Sequence, residues 1–163
     1  MFEDLNLTKS LKLAIKTEQM GNQFYVKMAA KFADNKDIAG IFAQLAKDEK
    51  VHEAQFTKIL DSVPDEVGGS NYETDQYVKA IAITEFFRVG KAPKPEDIGD
   101  EADALGAALA FEKSTLLFYQ SIKDIIGDGV EINKIIAAEK SHIISLSRII
   151  VTDAKFRGIH DNF

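Results

Sequence analysis

Six residues of the chain carry side chains that can bind metal ions, and they recur in a regular order. A lone glutamate is followed by a Glu-x-x-His pair, and the same order then appears a second time. The six residues are Glu18, Glu49, His52, Glu112, Glu139 and His142. Residues three apart on an α-helix share one face, one turn apart, so a Glu and a His at that spacing can grip the same ion. The pattern therefore predicts ligands for two metal ions.

Each of the six residues interrupts a stripe of apolar residues at helical spacing, so we expect all six to face a core. The stripes run through residues 11–32, 38–59, 105–126 and 132–149. Burying an ionised carboxylate costs several kcal/mol unless it is paired or coordinated, and four in one layer repel each other. Two divalent cations would balance the four negative charges and leave both histidines neutral.

The ligand types indicate which ions fit. Oxygen-rich ligation with two imidazoles suits two iron ions, or manganese, and zinc could substitute in a purified sample. We expect Glu49 and Glu139 to bridge the two ions. Glu18 and Glu112 would then be terminal or chelating ligands, and each ion would take one histidine.

Four long helices and one short helix must position these residues. The first long helix is predicted from about Thr8 to Ala33, the second after the N-cap Asn35, the third from near Asp100, and the fourth after the turn at Gly127 and Gly129. A short helix is predicted from Asp75 to Val89, between segments that contain proline and glycine. Short turns join the first helix to the second and the third to the fourth, so each pair should form an antiparallel hairpin.

The connection between the second and third helices is much longer, about forty residues, as in bundles with one long crossover. The sequence thus predicts an all-α, ferritin-like antiparallel four-helix bundle. One long crossover between helices 2 and 3 would contain the short extra helix. We expect a single ferritin-like di-iron domain over residues 1–163.

The two halves of the chain resemble each other, which indicates an internal duplication of a helical hairpin. Tyr25 follows Glu18 by seven residues, and Tyr119 follows Glu112 by seven. The two tyrosines could hydrogen-bond metal ligands, or they could be core tyrosines that reach a neighbouring helix. Asp48 and Glu53 flank the first Glu-x-x-His pair, but they are predicted on adjacent faces and outside the ligand set.

Composition excludes several classes of protein. The chain has no cysteine, which excludes disulfides, thiolate catalysis and protein-ligated iron–sulfur clusters. Its net charge of −6 argues against nucleic acid and anionic membranes as partners. Residues 1–10 lack the apolar stretch of a signal peptide, and no apolar run approaches the length of a membrane span. We expect a cytoplasmic protein.

Four segments of the chain resemble the rubrerythrin-like branch of the ferritin-like superfamily. They are Glu18 to Tyr25 (EQMGNQFY), Lys47 to Glu53 (KDEKVHE), Phe111 to Tyr119 (FEKSTLLFY) and Ala138 to His142 (AEKSH). The resemblance covers roughly residues 8 to 155. It implies a di-iron carboxylate bundle, a homodimer, and a protein of the oxidative-stress response that reduces hydrogen peroxide or dioxygen.

The chain departs from that family pattern in two respects. Without cysteine it cannot hold the electron-supplying rubredoxin domain of peroxidase-type members, so the resemblance implies a separate redox protein as electron donor. Those members also carry an extra glutamate where this chain has Thr115. The remaining six ligands are similar to the symmetric set of bacterioferritin-type centres.

These observations favour an enzyme, a non-haem di-iron oxidoreductase of the peroxidase or oxidase type. An iron-handling protein, acting as a ferroxidase or a storage shell, is the first alternative. A non-catalytic bundle, stabilised by its metals or serving as an interaction module, is the second. An oxidase acting on an organic substrate is a further alternative, for which the sequence offers no substrate-shaped feature.

Overall fold

Five α-helices make up most of the chain in a computed structural model, which describes residues 6–63, 72–82 and 94–156. The helices are α1 (Leu7–Lys31), α2 (Lys36–Ser62), α3 (Tyr72–Ile81), α4 (Glu101–Ile126) and α5 (Val130–Phe156). A short 3₁₀ helix covers Pro95–Asp97. There is no strand in these three ranges. The all-α prediction and the helical-bundle class are confirmed.

Side-chain caps explain where three helices begin. Asn6, Asn35 and Asp100 each accept a hydrogen bond from the backbone N–H three residues later, which satisfies one of the free donors of a helix N-terminus. The predicted N-cap at Asn35 and the start near Asp100 are therefore confirmed. Helix α4 ends at Gly127, whose φ of 77° is readily adopted only by glycine.

Contacts between helices show how the four long helices are arranged. Helix α1 packs on α2 and on α4, and α5 packs on α4 and on α2. Tyr25 of α1 contacts Glu112 of α4. Lys58 lies near the end of α2 and pairs with Glu131 at the start of α5, at 2.7 Å. Each helix therefore lies beside two neighbours, as in a four-helix bundle.

The connection from α2 to α4 has its ends at opposite ends of the bundle. Asn35, which caps the start of α2, donates hydrogen bonds to both carboxylate oxygens of Glu101 at the start of α4, each at 3.1 Å. Helices α2 and α4 thus begin at the same end, whereas α2 finishes at the other. Helix α3 lies within this connection and buries Val78 in the core, and Ala82, directly after the helix, is buried there too. The remainder of the predicted short helix to Val89 lies outside the described residues.

Two apolar clusters fill the bundle, and the six predicted ligands lie between them. One cluster includes Leu11, Phe56, Phe118, Ile122 and Ile132. The other includes Phe24, Met28, Phe42, Leu105 and Leu146. On every long helix the ligand-type residues fall between a residue of one cluster and a residue of the other. The fold therefore places the polar layer at mid-height, shielded from water above and below.

Burial along the chain repeats between the two halves. Residues 10–18 and 104–112 show the same succession of buried, half-buried and exposed positions. Residues 44–50 and 134–140 also show one common succession. These registers superimpose Glu18 on Glu112, Glu49 on Glu139 and His52 on His142. The repeat supports the predicted internal duplication.

Candidate metal centre

All six predicted ligands are buried, and the structure brings them together from four helices. Glu18, Glu49, His52, Glu112 and Glu139 are each at most 3% exposed, and His142 is 6% exposed. Helix α1 supplies one of the six, α4 supplies one, and α2 and α5 supply a Glu-x-x-His pair each. Helical spacing alone put these residues on core faces, and helix packing converges those faces on one layer.

The ligand atoms form two groups that share one carboxylate. Glu18, Glu49, His52 and Glu139 can each offer one atom so that all four atoms lie within 4.8 Å of one another. Glu49 also forms such a group with Glu112 and His142. A shared carboxylate is the arrangement that a bridging ligand needs, as predicted for Glu49. The other predicted bridge, Glu139, lies in the first group alone.

Both histidines turn the same ring nitrogen towards the carboxylates. His52 Nδ1 lies 3.1 Å from Glu49 Oε2 and 3.0 Å from Glu139 Oε1. His142 Nδ1 lies 3.1 Å from Glu112 Oε2. The two imidazole rings are stacked at a tilt, with centroids 5.5 Å apart. Nδ1 is therefore the nitrogen of each ring that is placed to bind an ion.

The pKa values of the residues in the centre are shifted because four carboxyl groups are buried together in one layer. Burial and the neighbouring glutamates raise the pKa of Glu49 and of Glu139 well above the ordinary carboxyl value. Burial also disfavours ionised Glu112, but hydrogen bonds from His142 and others hold its pKa below the ordinary value. His52 is desolvated, yet its bonds to Glu139 and Glu18 raise its pKa to about 10. Protons thus offset the charge of the metal-free centre.

These shifts set the sign of a pH effect on the metal-free protein. A group whose pKa is raised by folding binds more protons when folded, so the free energy of unfolding falls as pH rises. The stabilising contributions of Glu49 and Glu139 are complete below about pH 4.5. The contribution of His52 is complete below pH 6.5 and is lost as the pH rises to about 10. Glu112, with a lowered pKa, contributes oppositely, and its stabilisation is lost as pH falls below 4.5.

The centre fits divalent metal ions on two observations of its own. Buried oxygen Glu18 Oε1 has no hydrogen-bond partner, and Glu139 Oε1 lies 3.0 Å from His52 Nδ1 without a hydrogen bond of ordinary geometry, although unsatisfied buried carboxylate oxygens are costly. The donor set of four carboxylates and two imidazoles is also the one that iron and manganese favour. Cations would satisfy the free oxygens and replace the protons, so metal binding should release protons.

The two tyrosines share their glutamates' faces, but the hydroxyls reach across the bundle. Tyr25 follows Glu18 on α1, yet its hydroxyl donates to Glu112 Oε1 on α4 at 2.5 Å. The buried hydroxyl of Tyr119 lies among the charges of Glu18, Glu139 and Glu49, without a hydrogen bond of ordinary geometry. Burial is the main reason that the pKa of each tyrosine is raised well above 10. Tyr25 is thus placed to orient a ligand.

Thr115 contacts a predicted ligand, which the sequence analysis did not predict. The residue was noted there only as a departure from a family pattern. Its hydroxyl lies 2.8 Å from Glu139 Oε2 and 2.9 Å from the backbone oxygen of Glu112. A hydroxyl has one proton, so it can donate fully to only one of the two at a time. Its position three residues after Glu112, on the same core face, was the signal that could have found it.

Asp48 is a second missed residue, because it was predicted on a face away from the ligands. In the structure Asp48 Oδ2 lies 3.3 Å from His142 Nε2 on the neighbouring helix α5. The antiparallel register of α2 and α5 causes this contact, since it sets the residue before Glu49 opposite His142. Glu53, by contrast, pairs with Lys50 and Gln19 as a surface residue would.

The helical bundle and its buried carboxylate–histidine cluster are those of a ferritin-like protein with a candidate metal site. Residues 9–89 match the family model described as Rubrerythrin. The match is consistent with a rubrerythrin-like, ferritin-like protein, as the sequence motifs indicated. The match includes Glu18, Glu49 and His52, and it supports a metal site of the di-iron carboxylate class. No curated protein and no solved structure matches the chain significantly.

In the part of the chain that the structure describes, none of the helices has both the length and the apolar character of a membrane span.

Proposed function

We propose that the protein is a di-iron oxidoreductase that reduces hydrogen peroxide or dioxygen and is re-reduced by a separate redox protein. The observation that carries this proposal is the shared position of Glu49. One buried carboxylate belongs to two ligand groups, one with His52 and two further glutamates and the other with His142 and one further glutamate. Such an arrangement holds two ions close enough to act on one small oxidant.

Two electrons are what this chemistry needs. When bound, two ferrous ions supply one electron each, so that one hydrogen peroxide and two protons give two waters. The residues of the chain balance the charge of the ions, orient a ligand and exclude water. Four carboxylates balance the charge of two divalent ions, and Tyr25 holds Glu112 in place. Apolar clusters on both sides of the layer exclude bulk water, which strengthens the electrostatic interactions inside.

The family match supports the metal class. A homodimer, a cytoplasmic location and the choice of oxidant are parts of the proposal that rest on the resemblance to the rubrerythrins. Iron is proposed over manganese on the same basis, since the ligand set suits both ions.

An anaerobic titration with ferrous iron, followed by one equivalent of hydrogen peroxide or dioxygen, tests the proposal. We expect saturation at two irons per chain and then rapid growth of the near-ultraviolet absorption of a ferric centre. Repeated turnover with a chemical reductant would support catalysis. Two irons that stay reduced for hours in both oxidants would refute the oxidoreductase function and favour a structural metal site. Fewer than two tightly bound irons would refute the two-metal centre itself.

A further inference from the structure

Asp48 holds the outer side of one ligand ring. His142 Nδ1 faces Glu112, and its other nitrogen, Nε2, lies 3.3 Å from Asp48 Oδ2. The second oxygen of Asp48 accepts a hydrogen bond from Gln44 Nε2 at 2.9 Å, so the carboxylate is itself held. With an ion held at Nδ1, the ring proton would be on Nε2 and would be donated to Asp48. The ring is thus fixed from both sides.

The equivalent histidine in the other half of the repeat, His52, has no carboxylate behind it in the part of the chain that the structure describes. The register that superimposes Glu49 on Glu139 also superimposes Asp48 on Ala138. Both positions are half-buried, so the backbone environment is alike while the side chain is not. Within the described ranges, His52 Nε2 has no hydrogen-bond partner. The two histidines therefore match in sequence spacing and in Nδ1 orientation, but only one is supported from behind.

We propose that Asp48 is a positioning residue that fixes the tautomer and ring orientation of His142, and that it therefore supports the binding of only one of the two ions. The inference rests on the proposed two-metal centre. A carboxylate behind a ligating imidazole makes that nitrogen a better ligand and prevents ring rotation, and its loss typically lowers metal affinity about 10- to 100-fold. The second ion, bound by His52, has no such partner to lose.

Cobalt(II) titration of metal-free protein, followed by visible absorption and calorimetry, measures the two binding steps. We expect wild type to bind two Co²⁺ per chain. Asp48→Ala should weaken one step about 10- to 100-fold and leave the other unchanged. Asp48→Asn should recover most of the loss, because the amide oxygen still accepts from Nε2–H. Glu53→Gln is the matched control, since it removes a nearby negative charge that touches no ligand, and both steps should keep their affinities.

Histidine variants show whether Asp48 acts through His142. In a His142→Ala background, Asp48→Ala should cause no further loss, whereas in a His52→Ala background it should keep its full effect. Unchanged Co²⁺ affinities in Asp48→Ala, or an equal loss in both backgrounds, would overturn the inference. Fewer than two Co²⁺ in wild type would instead refute the two-metal centre. Far-ultraviolet circular dichroism checks each fold, and Asp48→Ser replaces the alanine variant if that variant does not fold.

Discussion

Replacing the shared carboxylate, Glu49→Gln, should affect the metal-free protein and the metal-bound protein very differently. Glutamine keeps the shape of the side chain and removes its charge. In the metal-free protein, burial already favours the protonated, uncharged form of Glu49. We therefore expect the free energy of unfolding without metal to change by less than about 1 kcal/mol, the net contribution of one hydrogen bond.

The metal-bound state should change far more. Four carboxylates carry −4 and two divalent ions carry +4, so the wild-type centre is neutral, whereas the variant would hold one uncompensated positive charge. An uncompensated buried charge costs about 3–5 kcal/mol. Since about 1.4 kcal/mol is a tenfold change in affinity, binding of the second ion should weaken roughly 100- to 4,000-fold. One ion per chain should remain at micromolar metal.

Calorimetric titration with Co²⁺ measures this stoichiometry, and urea unfolding of the metal-free variant measures its stability. Glu53→Gln again serves as the control, because it removes a carboxylate on the same helix that contacts Gln19 and Lys50. Two ions bound by Glu49→Gln at wild-type affinity would refute the assignment of Glu49 as a shared ligand. A large loss of metal-free stability would refute the argument that this carboxyl is uncharged without metal.

Four further perturbations test the centre and its surroundings. Tyr25→Phe removes the bond to Glu112 and should lower Co²⁺ affinity roughly 10- to 100-fold, since bonds to charged groups contribute roughly 1.5–3 kcal/mol. Tyr119→Phe should lower the affinity less, because that hydroxyl makes no hydrogen bond of ordinary geometry; equal effects would contradict this. For the metal-free protein, urea unfolding from pH 5 to 9 should show stability falling as pH rises, because folding raises the pKa of His52 to about 10; a rise would contradict the sign. Gly21→Ala places a Cβ 3.0 Å from a ring atom of Phe111, which should cost about 1–3 kcal/mol, against about 1 kcal/mol gained from the helix propensity of alanine. We therefore expect a net destabilisation of at most about 2 kcal/mol in urea, and a clear stabilisation would contradict the packing argument.

Much of the fold was readable from sequence because helix signals are local. Apolar spacing gave the four long helices, and the caps Asn35 and Asp100 gave two of their starts, since a capping side chain bonds only to its own first turn. Helix α1 ends at Lys31, two residues before the predicted Ala33, because helix ends depend on weak terminal hydrogen bonds.

The six candidate ligands could also be predicted from the sequence. Burying a glutamate within an apolar stripe costs free energy, so its presence there indicates a specific role. Spacing placed each Glu-x-x-His pair on one face without reference to any other helix. Their ligand role stays a prediction until an ion is measured in the centre, but their burial and convergence are what that role requires.

Tertiary structure alone decided which residue supports which ligand. Tyr25 reaches Glu112 rather than the glutamate on its own helix, and Asp48 reaches His142, because both contacts depend on the register between antiparallel helices. Register is set by how whole apolar faces interlock, and no local spacing encodes it. The sequence thus determined which residues form the repeated set of ligands. Helix packing decided that only one of the two histidines, His142, is contacted by Asp48.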